Sequence, residues 1–335
     1  MRIAVIYNEP EVSYYTAAGE QAAVQGVLIE AAAVKQALEK LGHEVTCLGL
    51  CMPVYNAGQD LRRLETDLVF NLFEGFTGLP GSEADIAAML AELGMNFTGC
   101  PAHALKLCLD KARTKRVLSA GGVTVPDFQV LSAYTLMQFR LCYPCIVKPV
   151  GEDASHGITA ASVLHDYTAL KNQFDMILTA YNASEILVEE YIRGREFNVT
   201  VTGNLRPWIL SISEIVFSLP PGLPEIITYE AKWKKDSTYY LGTQPVCPAV
   251  ISEEEEYTIA SVARRAYRLT GCRGYARVDM RMNDRGELFV LEVNPNPDIS
   301  PDSGAALQAK AAGLDYTAFI GKIVSLAVEG DQDEL

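Results

Sequence analysis

The strongest constraint on this chain lies in its first hundred residues, where short apolar runs alternate with longer amphipathic stretches. Strands are expected at 2–7, 44–48, 68–72 and 96–98. An Ala-rich stretch from about 17 to 40 predicts a helix closed by Gly42, a residue suited to the left-handed turn that ends helices. A second helix is expected from Ser82, where the Ser82-x-x-Asp85 spacing can cap it, to near Gly94. Strand–helix alternation needs crossover connections. It therefore predicts an α/β fold: a parallel sheet with helices on both faces.

The pattern then changes. Helical character covers 101–120 and an extended segment follows around Pro126. Strands are expected at 145–148, 159–163, 186–190, 197–202 and 207–212, with a helix at 165–181. Residues 216–243 are rich in Pro, Gly and Lys and poor in periodicity, which reads as a functional loop. Ser252 opens a helix to about 270, a hairpin spans 274–294, and a last helix covers 316–329.

Composition excludes some partners. Asp and Glu number 42 against 28 Lys and Arg, a net charge of −14. Such a surface repels nucleic-acid phosphates and anionic membranes, so neither is an expected partner. No apolar run reaches the ~18 residues of a membrane span. Residues 1–6 read as a strand rather than a signal peptide. Eight thinly spread cysteines without an export signal suggest reduced thiols and a cytoplasmic protein. Cys142-Tyr-Pro-Cys145 fits a C-x-x-C redox pattern, yet it runs into the apolar pair Ile146-Val147 and is read as packing.

Several familiar motifs are absent: Gly-x-Gly-x-x-Gly, the Walker-type phosphate loop, His-Glu-x-x-His and Gly-x-Ser-x-Gly. The chemistry must lie elsewhere. In the 274–294 hairpin, a four-residue turn at 283–286 would place Val278, Met280 and Met282 on one face with Phe289, Leu291 and Val293. The other face would carry Arg277, Asp279, Arg281, Glu292 and Asn294, with Arg277 opposite Glu292. Two carboxylates and a carboxamide beside a cation suit Mg²⁺, although a solvated charged face has the same composition. Lys148 ends an apolar strand, and the small polar residues of 150–157 form a loop whose amides could cradle phosphate or simply turn. Taken alone, Glu189, Glu190 and Glu196 are ordinary carboxylates near a strand end.

These signals stand in one order: Ile146-Val-Lys148-Pro149, the small-residue loop, Val188-Glu-Glu-Tyr-Ile-x-Gly194-x-Glu196-Phe197, Tyr229-Glu-Ala-Lys232, Arg277-x-Asp279, Glu292-Val-Asn294. In that order the chain resembles the ATP-grasp superfamily, specifically the D-alanine–D-alanine ligase family, over nearly its whole length. Phe97-Thr-Gly99 and the run from Leu109 to Lys115 add to the likeness. The resemblance implies an ATP-grasp fold. An N-terminal Rossmann-like parallel-sheet domain would occupy 1–100 and a central ATP-grasp subdomain 101–189. A C-terminal subdomain at 190–335 would carry the metal site and a mobile loop at 216–243.

The resemblance also implies ATP and two Mg²⁺ ions, with Mn²⁺ as a substitute. Lys111 and Lys148 would contact ATP phosphates and Ser155 would sit in the phosphate loop. Glu189 would approach the adenine amino group, with Glu190 beside it, and Glu196 the ribose. Lys232 would reach the γ-phosphate from the mobile loop. Asp279, Glu292 and Asn294 would ligate metal, and Arg277 would stabilise a tetrahedral oxyanion. Glu9 aligns with a substrate-side glutamate and Ser303 with a serine that holds the acceptor carboxylate. The implied reaction activates a carboxylate as an acyl phosphate, which an amine then attacks. Amino acids or amines would be joined to a dipeptide or related amide by a homodimeric enzyme. A catalytically silent ATP-binding regulatory protein on the same fold is the second reading.

Five positions depart from the family pattern. Ala154 stands where the family has a serine and Trp233 where it has a tyrosine. Glu74 replaces a histidine, Asp298 a glycine of the oxyanion hole, and Asp302 precedes Ser303. A like charge ~4 Å away costs about 4 kcal/mol at an effective dielectric near 20. Asp298 or Asp302 in the acceptor pocket would thus turn it from a bare carboxylate towards a cationic group. Otherwise they face solvent or pair with Arg281 or Lys310. The changed shell predicts that D-alanine is not the best substrate for both positions.

Overall fold

A computed structural model of the chain describes residues 1–9, 22–150, 157–181 and 183–329. The N-terminal alternation folds as β1 (Arg2–Asn8), α1 (Ala22–Lys40), β2 (Glu44–Leu50), α2 (Val54–Arg62), β3 (Leu68–Leu72) and α3 (Ser82–Glu92). The strands form a parallel sheet in the order β2-β1-β3. The run at 96–98 gives one parallel bridge, Val69 to Phe97, rather than a strand. Ser82 does not cap α3: its hydroxyl accepts the Phe76 amide at 2.8 Å and donates to the Leu79 carbonyl at 2.6 Å, fastening the preceding loop.

The helical stretch expected at 101–120 is two helices, α4 (Ala102–Leu109) and α5 (Lys111–Ala120). Asp110 breaks it. Its backbone is extended and its carboxylate accepts the Arg113 amide at 2.9 Å, so the side chain caps α5 instead of continuing α4. Next come β4 (Phe128–Ser132), β5 (Cys145–Pro149), β6 (Val163–Leu164), α6 (Tyr167–Ala180) and β7 (Glu185–Glu190), an antiparallel sheet in the order β4-β7-β5-β6. Much of the strand expected at 159–163 is a tight turn, Ala160–Ser162, held by reciprocal capping between Thr159 and Ser162.

The last sheet is antiparallel, in the order β10-β9-β8-β11-β12. Its strands are β8 (Arg195–Thr202), β9 (Trp208–Phe217), β10 (Thr243–Val246), β11 (Tyr275–Met282) and β12 (Leu288–Asn294). Between β9 and β10 the aperiodic segment carries two short helices, α7 (Tyr229–Trp233) and α8 (Thr238–Leu241). A capping box of Ser252 and Glu255 starts α9 (Glu253–Leu269), and α10 (Gly304–Ala311) and α11 (Tyr316–Glu329) follow β12. Phe197, Val199, Val278, Met280 and Val290 bury one face of this sheet against Ile259 and Ala263 of α9, in a core shared with Ile6 and Phe73. Ile3 and Val5 pack with Val34 and Leu38 of α1 and with Phe319 and Ile323 of α11, so the first and last parts of the chain share a second core. Among the described residues no single helix is long and apolar enough to cross a membrane.

The hairpin register differs from expectation. The turn is one residue longer, since the Asn283 amide bonds to the Glu287 carbonyl at 3.0 Å, and Met282 pairs with Leu288. A bulge then leaves Leu291 without a partner, between the pairs Met280–Val290 and Asp279–Glu292. Arg277 therefore faces Asn294, not Glu292. The buried face of β12 is Leu288, Val290 and Val293, while Phe289 and Leu291 are half-buried on the opposite side. The two extra residues together shift the strand by a full period, which keeps Glu292 and Asn294 on the Asp279 face.

Candidate active site

A cleft opens between the second and third sheets. Lys148 of β5 and Glu189 and Glu190 of β7 line one side, and Glu196, Arg277, Asp279, Arg281 and Glu292 line the other. Lys111, at the start of α5, and Lys232, in α7, reach the same space. Thr228 accepts the Ala231 amide at 3.1 Å and thereby caps the helix that presents Lys232.

A carboxylate held by two lysines anchors one end of this cleft. Lys111 and Lys115 lie four residues apart on the buried face of α5. Lys115, 1% exposed, donates to the Leu291 carbonyl at 2.7 Å, the residue that the bulge leaves unpartnered. Its ammonium also lies 3.0 Å from Glu189, whose other oxygen is 3.0 Å from Lys148. Burial would raise the Glu189 carboxyl, but Lys115 and Lys148 outweigh it and hold it below the usual range. Burial lowers the Lys115 ammonium; Glu189 and Glu292 raise it, and Lys148 lowers it further. Glu189 orients these lysines whatever else it touches. Lys115 was visible in the sequence only as part of a run; the signal that marks it is its i,i+4 spacing from Lys111.

Asp279 forms the other anchor. Arg277 grips it with two parallel bonds, Nε to Oδ1 at 2.7 Å and Nη2 to Oδ2 at 2.8 Å. Asn198 of β8, not foreseen from sequence, donates to Oδ1 at 2.8 Å. Glu292 is the cross-strand partner of Asp279. Burial would raise its carboxyl, yet Lys111, Lys148, Lys232 and Arg277 together bring it down to about 2. Asn294 stands opposite Arg277, its side-chain oxygen accepting the Asn296 amide at 3.0 Å. Among the described residues no cluster of three or more carboxylate, imidazole or thiolate groups closes into a metal cage. Two carboxylates and a carboxamide on adjacent strands nevertheless fit Mg²⁺, which commonly takes one or two carboxylates and completes its shell with water and substrate phosphates.

Glu196 is buried, and Oε2 accepts Arg281 Nε at 2.9 Å and Nη2 at 2.7 Å. The same guanidinium donates to the Ile192 carbonyl at 2.7 Å and to the Glu225 carbonyl. Arg281 is thus committed within the cleft, and Asp298 and Asp302 are both exposed. Asp298 accepts the Ser300 amide at 2.8 Å, and Ser303 caps α10 by accepting the Ala306 amide at 3.2 Å. Glu74, also exposed, follows β3. Trp233 lies against α1: a Cβ on Gly26 would sit 3.4 Å from its ring, so the glycine lets α7 approach that helix closely. Glu9 is not brought to the cleft; its carboxylate lies over Gly49 of β2. Ala154 and Ser155 lie outside the described residues.

One buried carboxylate was missed entirely. Glu30 is 4% exposed on the inner face of α1, and its Oε1 accepts the Ile299 amide at 2.7 Å. Burial first, then Glu74 and Asp298, push its carboxyl well above the usual range. The sequence signal is an acid inside the helix's apolar stripe, beside Val27, Ala31 and Val34. All eight cysteines are free thiols. Cys145 donates to the Cys142 carbonyl at 2.9 Å, and burial pushes its thiol up to about 11, the reverse of a redox-active thiolate.

Residues 117–325 match the family model described as D-ala D-ala ligase C-terminus. The chain is 33% identical to an uncharacterized protein of Sinorhizobium fredii, over 98% of this chain and 97% of that one. It is 30% identical to a D-alanine–D-alanine ligase of Haemophilus influenzae, over 88% of this chain and 94% of the relative. Among solved structures, a D-alanine–D-alanine ligase from Bacillus anthracis complexed with ATP superposes with a TM-score of 0.76 at 20% identity, covering both chains fully. The VanG D-Ala:D-Ser ligase from Enterococcus faecalis superposes with 0.75 at 23% identity, over 97% of this chain and 99% of that one. The fold is ATP-grasp. The chain belongs to the D-alanine–D-alanine ligase family.

Proposed function

We propose that this protein is an ATP-dependent carboxylate–amine ligase that joins two small amino-acid or amine substrates, releasing ADP and phosphate. The observation that carries the reading is the charge around Glu292: three lysines from three separate elements and Arg277 converge beside two cross-strand carboxylates. Such a cluster suits a triphosphate, whose charge shifts during transfer and must be met by fixed cations. Residues 1–100, 101–189 and 190–335 would act as three units around it.

A carboxylate is a poor electrophile. On this reading one substrate's carboxylate oxygen attacks the γ-phosphorus and the bond to ADP breaks, giving an acyl phosphate. The amine nitrogen of the second substrate then attacks the acyl carbon, phosphate leaves, and the amine loses a proton. Lys148, steered by Glu189, and Lys111 would neutralise phosphate oxygens, while Glu190 and Glu196 would face the nucleoside. Mg²⁺ held by Asp279, Glu292 and Asn294 would supply Lewis-acid charge at the phosphates. Arg277, held in one orientation by Asp279, would meet the oxyanion of the tetrahedral intermediate. Lys232 would close over the γ-phosphate with α7, and water would be kept from the acyl phosphate. Ser303, with the amide end of α10, would take an acceptor carboxylate.

The test is ADP and phosphate release across a panel of amino-acid pairs in both chiralities. Stimulation by a defined pair, with an amide product seen by mass spectrometry, is the expected result. ATP turnover indifferent to every amino acid would instead favour a nucleotide-binding protein without ligase activity.

A further inference from the structure

A fully buried carboxamide on α10 is committed to the strand beside Asp279. Gln308 is 0% exposed, in a helix that packs on β8 and β9 through the small buried residues Ala305, Ala306 and Ala309. A buried carboxamide is tolerated when its polar atoms are paired. Gln308 Oε1 accepts the Thr200 amide of β8 at 2.7 Å. Its Nε2 donates to the Asn198 carbonyl at 2.8 Å and to Ser213 Oγ of β9 at 2.6 Å. This side chain has one workable orientation. Reversed, its amino group would face the Thr200 N–H and its oxygen the Asn198 carbonyl, donor against donor and acceptor against acceptor.

The strand needs this partner because its ladder is broken there. β8 and β9 pair through Asn198–Ser213 and Val199–Ile212 and resume at Val201–Ile209, which leaves Thr200 out. Without Gln308 the Thr200 amide would be a buried donor with no acceptor. On the other edge of β8 the register with β11 is unbroken: Asn198 stands across from Asp279, and Thr200 across from Arg277. Gln308 thus grips, by their backbones, the two residues that stand opposite the Arg277–Asp279 pair.

Asn198 carries the contact into the site. Its side chain donates to Asp279 Oδ1 at 2.8 Å, the oxygen that also accepts Arg277 Nε at 2.7 Å. Asp279 Oδ2 accepts Arg277 Nη2 at 2.8 Å. A carboxylate oxygen offers about two acceptor directions. Both on Oδ1 are taken, so the direction left for a cation is on Oδ2.

We infer that Gln308 is a positioning residue: it fixes the β8 backbone so that Asn198 keeps Asp279 turned with Oδ2 free, and it thereby sets how tightly a divalent cation is held. This role presupposes the Mg²⁺ site of the ligase reading. It adds to that reading a residue outside the cleft's lining and outside every motif of the family resemblance.

Mn²⁺ binding to the full chain with a non-hydrolysable ATP analogue tests this without turnover. The readout is the electron paramagnetic resonance signal of free Mn²⁺, corrected for the analogue alone. Asn198→Ala should weaken Mn²⁺ by about tenfold to a hundredfold, and Gln308→Met by about tenfold, the cost of losing a partner that orients a metal ligand. In the double variant the losses should not add, because Asn198→Ala leaves no side chain for Gln308 to aim. In ADP-release assays, the Mg²⁺ concentration for half-maximal turnover should rise more than kcat falls. A merely structural role would lower the melting temperature and the active fraction, while folded molecules kept wild-type Mn²⁺ affinity. Ser213→Ala is a milder variant that removes the hydroxyl reaching both the Gln308 amide and the Asn198 carbonyl, and it should give a smaller loss of Mn²⁺ affinity. Wild-type affinity in folded Gln308→Met, or in Ser213→Ala where Gln308→Met does not fold, would overturn the inference, as would additive losses. A wild-type protein that binds no Mn²⁺ beside the nucleotide would remove the metal site and this role together. Amino-acid-stimulated turnover with Mn²⁺ bound equally by wild type and variants would leave the ligase and remove only the role of Gln308.

Discussion

Glu189 of β7 and Glu30 of α1 are both buried glutamates, 1% and 4% exposed. Glu189 lies between Lys115 and Lys148, each at 3.0 Å, and its carboxyl is held low. Glu30 shares its space with Glu74 and Asp298, and its carboxyl is pushed up. Burial acts on both in the same direction, so the neighbours alone make the difference. Glu189 thus answers two cations, whereas Glu30 adds to neighbouring carboxylates. The contrast has two halves: a lysine-rich cleft, where the family motifs stand, and the surroundings of Glu30, where Glu74 and Asp298 depart from them.

The largest expected effect breaks the first half. Asp279→Asn and Glu292→Gln should each lower turnover by at least about a hundredfold to a thousandfold, the scale seen when a fixed group at a developing charge is lost. The fold should survive, because Asn198 and Arg277 can still bond the amide oxygen of an Asp279→Asn side chain. Steady-state kinetics with circular dichroism checks this. Near-normal activity in a folded Asp279→Asn protein would remove the assigned role.

Lys232 tests whether the two halves meet through a moving part. It is exposed on a five-residue helix, and the neighbouring Trp233 rests on α1. Lys232→Ala should reduce kcat by about tenfold to a hundredfold with a smaller change in KM, as expected for a contact made late in the reaction. Hydrogen exchange over 216–243 should slow when ATP and Mg²⁺ are added. Equal exchange in both states, with Lys232→Ala fully active, would mean the segment is not a lid.

Much of the cleft's lining was legible in the sequence because its residues sit on strands. Period-two alternation placed Arg277, Asp279 and Arg281 on one face, and Lys148 stood at a strand end. What could not be read were features decided by contacts across elements. The bulge at Leu291 shifts the register, so Arg277 faces Asn294. Asp110 splits a helix because a cap competes with helix continuation. Glu9 looked like the substrate-side glutamate by position, yet it lies over Gly49. Lys115 and Glu30 carried a readable signal, a charged residue at a buried helical position. Only the partners supplied by β7, β12 and the segment after β12 give that signal its meaning.

Stability gives the contrast its own measure. Glu189→Gln removes the carboxylate that compensates two lysines and leaves Lys115 buried beside a neutral amide, which should cost about 3–5 kcal/mol. The sign with pH follows from the direction of the shift. Glu189 has a folded pKa below its unfolded one, so its contribution is present above the usual carboxylate range near 4.5 and is lost as pH falls below it. Urea titrations of wild type and Glu189→Gln should converge at acidic pH and separate towards neutrality.

Glu30 should behave in the opposite sense, with the smallest effect. Its folded pKa lies above the unfolded value, so its contribution is present below about pH 4.5, the unfolded range, and is lost as pH rises towards the folded value. Glu30→Gln removes the titration and keeps an oxygen for the Ile299 amide. At neutral pH the variant should therefore melt higher than wild type, by about 1–3 °C, the shift that roughly one kcal/mol produces in a large domain. At pH 4 the gain should vanish, because wild-type Glu30 is then protonated in both states. A melting temperature at pH 7 that falls in Glu30→Gln would show that the carboxylate is already compensated in the free protein. The contrast between the two glutamates would then be one of position alone.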